Sequence, residues 1–360
     1  MKSCLVLEDG SVFEGRSFGA ARFACGEVVF STSMTGYQEM LTDPSYAGQI
    51  LVATYPLVGN YGVNAEDFES QRIQVSAFVV REQCLEPSHW RGAGTLDRYL
   101  AEAGVPGMWG VDTRALTRRL RSHGVMMGAI ATEGSPQEAL EWLRAQPAYG
   151  DVDFAKQVST TMAYEWEQDS GEDASATHVV VVDCGLKLNI LRILRRAGCR
   201  VTVMPCTCSA AQILALEPDG VLLSPGPGDP ALLDYLVDTV RGLVGVKPVM
   251  GICLGQQLIG RAFGGKTFKL KFGHRGANHP VRDMETGRVY ITAQNHGYAL
   301  DPDSLHGGLE VSHVNLNDGT VEGIRHRDLP VFAIQYHSEA SPGPLDNVYL
   351  FDRFLAVLRE

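Results

Sequence analysis

The sequence predicts an α/β protein of two domains: a C-terminal open, mostly parallel sheet with helices on both faces, preceded by a separate mixed α/β domain. The length of 360 residues exceeds one typical core, and 45% hydrophobic residues exclude general disorder. Buried strands alternate with helical patterns after residue 178, which is typical of repeated βα units. An acidic stretch of small residues predicts a linker at residues 166–177, so the domains are residues 1–165 and 178–360.

Short apolar or β-branched segments predict the strands of the N-terminal domain, and two helical patterns follow them. The predicted strands are residues 12–18, 27–31, 49–54 and 74–80, and the predicted helices are residues 96–103 and 113–121. Asp112 or Thr113 is a suitable N-cap for the second helix. The basic residues of this helix are typical of a solvent-exposed face.

Four βα units are predicted in the C-terminal domain. The strands are residues 178–183, 200–204, 220–223 and 248–252, and the helices follow at about residues 190–197, 210–216, 232–243 and 254–263. Ligands of such sheets bind at the carboxyl ends of the strands. The loops after Leu223 and Ile252 are therefore expected to line a site.

Composition excludes several classes of function. Lys plus Arg number 31 and Asp plus Glu number 42, a net charge of −11 that argues against binding to nucleic acid or to an anionic membrane surface. No apolar run approaches the ~20 residues that span a bilayer, and the N-terminus is charged again at Glu8, so no signal peptide is expected. Eight scattered cysteines suit a reducing, cytoplasmic location, and Cys206 and Cys208 lack a second pair at zinc spacing, so no metal is expected.

The sharpest chemical signal is a cysteine between two small residues at a strand-to-helix turn, in the sequence Gly251-Ile252-Cys253-Leu254-Gly255. This is the nucleophile-elbow pattern with Cys in the nucleophile position. The helix N-terminus favours the thiolate, and the Leu254 N–H is placed to bind an oxyanion. On this pattern alone, a buried structural cysteine is the alternative.

Two further loops supply complementary groups. Ser224-Pro225-Gly226-Pro227-Gly228 is a stiff turn of bare backbone after a strand, and the Gly228 N–H is a natural second oxyanion donor. His337 and Glu339 follow the strand-like residues 331–334 and supply a base and the acceptor that orients it. Residues i and i+2 of a straight strand stand about 6.6 Å apart, so the chain must bend at Ser338. Taken singly, an ordinary βα turn and a solvated ion pair remain the alternatives.

With these three elements the sequence resembles the class I glutamine amidotransferases, which have a flavodoxin-like fold. It is similar in particular to the small, glutamine-hydrolysing subunits of carbamoyl-phosphate synthetases. The resemblance extends over residues 5–357, and its most specific motif is residues 26–39, GEVVFSTSMTGYQE, which other class I amidotransferases lack. Similar motifs are KFGHRGANHP at residues 271–280 and QNHGY at residues 294–298.

The resemblance implies a role for each matching residue. Cys253 is expected to be the nucleophile, His337 the base and Glu339 its orienting partner, with oxyanion donors at Gly228 and Leu254. Glutamine is expected to be bound by Ser45, Gly226, Gly228, Leu254, Gln257, Asn295, Gly297 and Tyr298. Gln256 and Ser338 depart from the His and Pro that are common in this family. Both adjoin catalytic positions without being catalytic, so the resemblance implies the reaction more firmly than its rate.

The expected function is hydrolysis of L-glutamine and delivery of ammonia to a large synthetase subunit, which makes carbamoyl phosphate for arginine and pyrimidine biosynthesis. Residues 260–267 match the sequence pattern of a phosphate-binding loop, but they follow a helix instead of a strand. No cofactor is therefore expected on this chain. ATP with Mg²⁺ or K⁺ is expected only on the partner subunit. The N-terminal domain is expected to dock the large subunit and to contribute to the glutamine site. The alternatives are a stand-alone thiol γ-glutamyl hydrolase and a non-catalytic regulatory subunit.

Overall fold

The computed structural model describes residues 1–132, 135–166 and 176–359. The chain divides into two compact units. Unit 1 contains Met1–Val152 and Lys271–Gly276, and unit 2 contains Asp153–Leu270 and Ala277–Glu360. Residues 167–175, most of the predicted linker, lie outside the described residues.

Unit 1 combines strands and helices, as predicted. Its strands are β1 (Lys2–Leu7), β2 (Val12–Gly19), β3 (Ala24–Ser31), β4 (Gln49–Ala53), β5 (Leu57–Val58), β6 (Ala77–Val79), β7 (Glu82–Gln83), β8 (Pro106–Trp109) and β9 (Met126–Ala131). Its helices are α1 (Tyr37–Thr42), α2 (Leu96–Glu102), α3 (Thr113–His123) and α4 (Pro136–Arg144), with 3₁₀ turns at Pro44–Tyr46 and Tyr149–Asp151.

Seven strands described in unit 1 close into a barrel in the order β1-β2-β8-β6-β4-β3-β9. Alternate residues of the wall are buried on opposite sides: Val28 and Ile50 belong to one apolar cluster, whereas Val29 and Leu51 belong to another. The sequence does not predict this closure. Strand β9, Met-Met-Gly-Ala-Ile-Ala, is one reason, because Gly and Ala are depleted in strands.

Helices α2, α3 and α4 of unit 1 begin at capping side chains, whereas α1 begins at Gly36. Asp112, one of the two predicted caps of α3, accepts a hydrogen bond from the Ala115 N–H at 2.9 Å, and Gly124 ends the helix at φ 102°. Ser135 and Glu138 form a reciprocal capping box at the start of α4. Local side-chain chemistry therefore sets these helix ends.

Unit 2 alternates strands and helices. Its helices are α5 (Phe154–Val158), α6 (Leu188–Arg196), α7 (Ala210–Leu214), α8 (Asp234–Leu243), α9 (Leu254–Ala262) and α10 (Tyr349–Leu358), with 3₁₀ turns at Pro230–Leu232 and Pro302–Ser304. Its strands are β10 (Tyr164–Glu165), β11 (His178–Asp183), β12 (Arg200–Pro205), β13 (Gly220–Leu223), β14 (Val249–Ile252), β15 (Thr267–Asp283), β16 (Val289–Leu300), β17 (Leu309–Asn315), β18 (Val321–His326) and β19 (Val331–Ile334). Residues 271–276 of β15 belong to unit 1.

These strands form one sheet in the order β10-β12-β11-β13-β14-β19-β18-β17-β15-β16. The predicted parallel sheet is confirmed in its centre, where β12, β11, β13, β14 and β19 run parallel. Strands β18, β17 and β15 continue it in antiparallel pairing. The start of β15 is strand-like in the sequence, but the sequence does not predict this extension, because antiparallel pairing depends on which strand edges meet.

The boundary between the units lies after Val152 rather than at the predicted residue 165. Ala155 is fully buried in the core of unit 2, and Asp153 accepts a hydrogen bond from the Tyr235 hydroxyl at 3.1 Å. Strand β10 pairs with β12. A few small and polar residues thus attach residues 153–165 to unit 2. Their pattern is too short for the sequence to indicate to which domain they belong.

The core of unit 2 positions the ends of the central strands. Strand β11 is buried along its whole length, as its continuous apolar run predicts. Val180 and Val182 share one core cluster with Leu236 of α8 and Leu258 of α9. Across residues 1–132, 135–166 and 176–359, the structure contains no helix with the length and hydrophobicity that crossing a membrane requires.

We expect Leu236→Ala to destabilise the protein by about 2–5 kcal/mol, because the fully buried side chain leaves a cavity. Leu232→Ala is the matched control, since Leu232 is 41% exposed and its loss is expected to change stability by less than about 0.5 kcal/mol. Urea unfolding followed by tryptophan fluorescence measures both. Equal effects of the two substitutions would contradict this description of the core.

Candidate active site

Cys253 occupies the turn between β14 and α9. Its backbone has φ 53° and ψ −103°, a conformation that non-glycine residues rarely adopt. The side chain is 2% exposed. The strained turn therefore directs a buried thiol toward the carboxyl end of the sheet and the N-terminus of α9.

Two glycines make this turn sterically feasible. A Cβ on Gly251 would lie 2.6 Å from the carbonyl carbon of Gly255, and a Cβ on Gly255 would lie 2.4 Å from the carbonyl oxygen of Leu223. Both contacts are with backbone atoms that cannot move aside. The small residues on either side of Cys253 are thus required by the close approach of β13, β14 and α9.

Parallel pairing with β19 brings the second group of residues to Cys253. Ile252 is in register with Ile334, and the Cys253 N–H donates to the Ile334 carbonyl at 2.8 Å. His337 then bridges to β16, where its N–H donates to the Ala293 carbonyl at 2.9 Å. These hydrogen bonds hold the backbones of Cys253 and His337 at the same end of the paired strands.

The chain turns at residues 338–339, as the spacing of His337 and Glu339 requires. Nδ1 of His337 lies 2.7 Å from Oε1 of Glu339, and both side chains are buried. Burial alone would lower the pKa of His337, but the negative charge of the Glu339 carboxylate, with a smaller contribution from the Cys253 side chain, raises it to about 10. The imidazole is therefore protonated at neutral pH, and both of its ring nitrogens are then hydrogen-bond donors.

Lys187 is a buried cation of this site that the sequence does not single out. Its Nζ lies 3.2 Å from Oε1 of Glu339 and donates to the Ala340 carbonyl, and the lysine side chain is 2% exposed. Burial alone would raise the pKa of Glu339, but the charges of Lys187 and His337 lower it to about 2. The available signal was a lysine four positions after the end of a buried strand and directly before an apolar helix.

Two polar groups contact the sulfur itself. Sγ of Cys253 lies 3.7 Å from the carbonyl oxygen of Asn295 and 3.5 Å from Nε2 of Gln335. The Asn295 carbonyl accepts from the thiol, whereas the Gln335 amide donates to the sulfur. Gln335 is fully buried and is a second residue that the sequence does not single out.

The predicted oxyanion donors lie at the expected ends of their elements. Leu254 is the first residue of α9, where backbone N–H groups have no acceptor within the helix. Gly228 adopts φ 95°, which favours glycine. A Cβ on Gly226 would lie 2.1 Å from the Cys184 carbonyl oxygen, so this loop passes close to the end of β11.

The structure brings together most of the predicted glutamine-binding residues. Gln257 of α9 donates from Nε2 to the Tyr298 carbonyl at 2.9 Å. Asn295 and Gly297 lie on the same strand as Tyr298, and Asn295 contacts the nucleophile. Ser45 belongs to unit 1, where it is buried in the 3₁₀ turn Pro44–Tyr46, and its role stays a prediction.

The two departures from the family pattern are both buried. The side-chain amide of Gln256 is fully buried and hydrogen-bonds no atom of the residues that the structure describes. The Ser338 hydroxyl likewise has no hydrogen-bond partner within residues 1–132, 135–166 and 176–359. Neither side chain contacts the sulfur through any described hydrogen bond.

Comparison with known proteins gives the family. Residues 5–130 match the CPSase domain of the carbamoyl-phosphate synthase small chain, and residues 180–357 match the class-I glutamine amidotransferases. The carbamoyl phosphate synthase small chain of Bacillus caldolyticus is 52% identical over 362 residues, which cover 100% of this chain and 97% of that protein. The chain belongs to the carbamoyl-phosphate synthase small chain family.

Other members of this family are equally similar. The carbamoyl phosphate synthase small chain of Methanopyrus kandleri is 52% identical over 366 residues and covers 100% of both chains. That of Archaeoglobus fulgidus is 50% identical over 361 residues, which cover 100% of this chain and 99% of that protein. The similarity extends over both units, so it confirms the family predicted from the motifs.

We expect Gly255→Ala to disrupt the elbow, because the added Cβ meets the Leu223 carbonyl oxygen at 2.4 Å. The variant should lose stability and the reaction of Cys253 with iodoacetamide, measured by thermal unfolding and by mass spectrometry of the Cys253 peptide. Gly94→Ala is the control, since its nearest neighbour would be a Val63 methyl at 3.6 Å. A fully stable and reactive Gly255→Ala protein would contradict the geometry described.

The His337–Glu339 pair should make stability depend on pH. The pKa of Glu339 falls from 4.5 to about 2, so its contribution is present above pH 4.5 and is lost as the pH falls toward 2. The pKa of His337 rises from 6.5 to about 10, so its contribution is full below pH 6.5 and is lost as the pH rises toward 10.

We therefore expect the stability difference between wild type and Glu339→Gln to be largest between pH 4.5 and 6.5 and to decrease on both sides. Urea unfolding at a series of pH values measures this difference. The contributions of titrating groups that the two proteins share cancel when one free energy of unfolding is subtracted from the other. Glu102→Gln is the control, because Glu102 forms an exposed i,i+4 pair with Arg98. A difference that is independent of pH would refute the coupling.

Proposed function

We propose that this chain is the glutamine-hydrolysing subunit of a carbamoyl-phosphate synthase. In this proposal it converts L-glutamine to glutamate and ammonia through Cys253, His337 and Glu339 and delivers the ammonia to a large synthetase subunit. The observation that carries the proposal is the buried 2.7 Å hydrogen bond between His337 and Glu339, which follow the strand that pairs in parallel with β14, directly before the strained elbow at Cys253.

The first half-reaction forms a γ-glutamyl thioester. The Cys253 thiolate attacks the side-chain amide carbon of glutamine, and the carbonyl oxygen becomes an oxyanion. Backbone N–H groups of Gly228 and Leu254 are proposed to bind that oxyanion, and loss of one such donor typically costs about 3–4 kcal/mol of barrier. The C–N bond then breaks as the protonated His337 gives its proton to the departing nitrogen, which leaves as ammonia.

The second half-reaction releases glutamate. Neutral His337 takes a proton from water, and the resulting hydroxide attacks the thioester carbonyl. The C–S bond breaks, glutamate leaves, and the thiolate and the protonated imidazole are restored. Glu339, held by Lys187 at 3.2 Å, stays ionised throughout and stabilises the imidazolium.

Glutamine is proposed to bind where several convergent polar groups and the oxyanion loop meet. The proposed contacts are Ser45, Gly226, Gly228, Leu254, Gln257, Asn295, Gly297 and Tyr298. Support comes from the position of Gln257, which is hydrogen-bonded to the Tyr298 carbonyl, and from the contact of Asn295 with the sulfur.

The ammonia is proposed to pass directly to the large subunit, because in water at neutral pH it becomes ammonium and loses its nucleophilicity. The large subunit would make carbamoyl phosphate from bicarbonate, ATP and ammonia, for arginine and pyrimidine biosynthesis. ATP and Mg²⁺ or K⁺ would bind on that subunit. The likeness to named small chains over the whole length supports this division of labour.

We expect Cys253→Ser, in complex with the large subunit, to abolish glutamine-dependent synthesis of carbamoyl phosphate and to leave ammonia-dependent synthesis unchanged. The serine hydroxyl is a much weaker nucleophile than the thiolate. A coupled assay of carbamoyl phosphate, with glutamine or with an ammonium salt as nitrogen source, measures the two activities. Equal loss of both activities would refute the proposal.

The same preparation separates the alternative functions. Addition of the large subunit should raise the glutaminase rate of the wild-type chain, whereas a stand-alone γ-glutamyl hydrolase would not respond. A glutamine-derived chloroketone should label Cys253, and a non-catalytic regulatory subunit would remain unlabelled. Cys25→Ser is the matched control, because Cys25 lies on β3 in unit 1.

A further inference from the structure

We propose that Gln335 is a further catalytic residue, whose side-chain amide donates a hydrogen bond to the Cys253 sulfur and stabilises the thiolate. Nε2 of Gln335 lies 3.5 Å from Sγ of Cys253. The catalytic meaning of this contact rests on the proposed function, whereas its effect on the thiol can be measured without glutamine.

The backbone of Gln335 is held on two sides. Its N–H donates to the Glu322 carbonyl of β18 at 2.8 Å. The preceding residue, Ile334, accepts from the Cys253 N–H at 2.8 Å. Gln335 and Cys253 are thus the first residues beyond a pair of registered parallel strands, and their side chains meet in a fully buried position.

The orientation of the Gln335 amide follows from one backbone carbonyl. The Tyr298 carbonyl can only accept, so the Gln257 atom 2.9 Å from it is the donor Nε2. That nitrogen also lies 3.1 Å from the Gln335 side chain, which must present its acceptor Oε1 there. The opposite end of the Gln335 amide, which faces the sulfur, is therefore Nε2 with its N–H donors.

This donor acts on one protonation state of the sulfur. The thiol donates to the Asn295 carbonyl at 3.7 Å, and the thiolate cannot. The thiolate is the stronger acceptor for the Gln335 N–H, because a charged acceptor shortens and strengthens a hydrogen bond. The Asn295 backbone carbonyl thus favours the thiol, and the Gln335 side-chain amide favours the thiolate. The Gln335 amide has no charge that changes with pH.

The charged groups around the sulfur come from two loops. His337 and Glu339 follow β19 and Lys187 precedes α6, and contacts of 2.7 Å and 3.2 Å with Oε1 of Glu339 join the three side chains. Their charges change with pH, whereas the Gln335 amide stays neutral. Removal of the amide should therefore shift the thiol–thiolate equilibrium while the titration of the imidazole pair persists.

The test is the rate of Cys253 alkylation by iodoacetamide from about pH 5 to pH 10, read by mass spectrometry of the Cys253 peptide in the full-length chain without glutamine. For Gln335→Leu we expect the midpoint of the profile to move up by about one pH unit, which lowers the rate roughly tenfold below the midpoint. Gln335→Glu keeps the acceptor for Gln257 but places a carboxylate oxygen against the sulfur, and we expect a larger upward shift.

Thr239→Val is the matched control, because Thr239 is a buried polar residue of the same unit that hydrogen-bonds the Cys208 carbonyl. It should leave the profile unchanged. An unshifted midpoint in both Gln335 variants, or a rate reduced equally at every pH, would overturn the proposal and assign Gln335 a structural role. Gln335→Glu decides the matter if Gln335→Leu does not fold.

Glutamine hydrolysis provides the second readout. We expect kcat of Gln335→Leu to fall about tenfold below the midpoint and to recover at high pH, with KM for glutamine unchanged. A change in KM alone would overturn the catalytic role. If the wild-type chain shows the alkylation profile but no glutaminase activity with the large subunit, the proposed function fails while the contact with the sulfur stands.

Discussion

Cys253 is held at φ 53° by the strand before it, the helix after it and one hydrogen bond to the Ile334 carbonyl. Such a conformation costs of order 1–3 kcal/mol, and persists only where the surroundings impose it. Gly251 and Gly255 allow β13, β14 and α9 to approach one another closely, because a Cβ at either position would contact backbone atoms. Every other part of the site is placed relative to this one strained residue.

Burial of charge is the second constraint on the site. Lys187, His337 and Glu339 are at most 3% exposed, and each would be costly to bury alone. Contacts of 2.7 Å and 3.2 Å on one carboxylate oxygen pair them. The pairing keeps the imidazole charged and correctly oriented. Removal of a single member would leave an uncompensated charge, so these three residues act as one electrostatic group.

Strand–helix alternation and the residues flanking Cys253 are predictable because local patterns encode them. The predicted strands Gly220–Leu223 and Val331–Ile334 have the observed bounds. Closure of the barrel in unit 1 is not predictable in this way, since it depends on which strand edges meet. The same holds for the roles of Lys187 and Gln335, which no local pattern assigns although Gln335 stands two positions before His337. They acquire a role only when parallel pairing and helix packing place them beside Glu339 and the sulfur.

The sequence by itself determined the elbow, the loop with Gly226 and Gly228, the spacing of His337 and Glu339, and the family. These features are local, because steric requirements and short-range spacing specify them within a few residues. Only the tertiary structure decided that the pKa of His337 is raised and that an amide donor faces the sulfur. The first depends on the burial of His337 beside Glu339, and the second on a contact between residues 82 positions apart, neither of which a local sequence pattern shows.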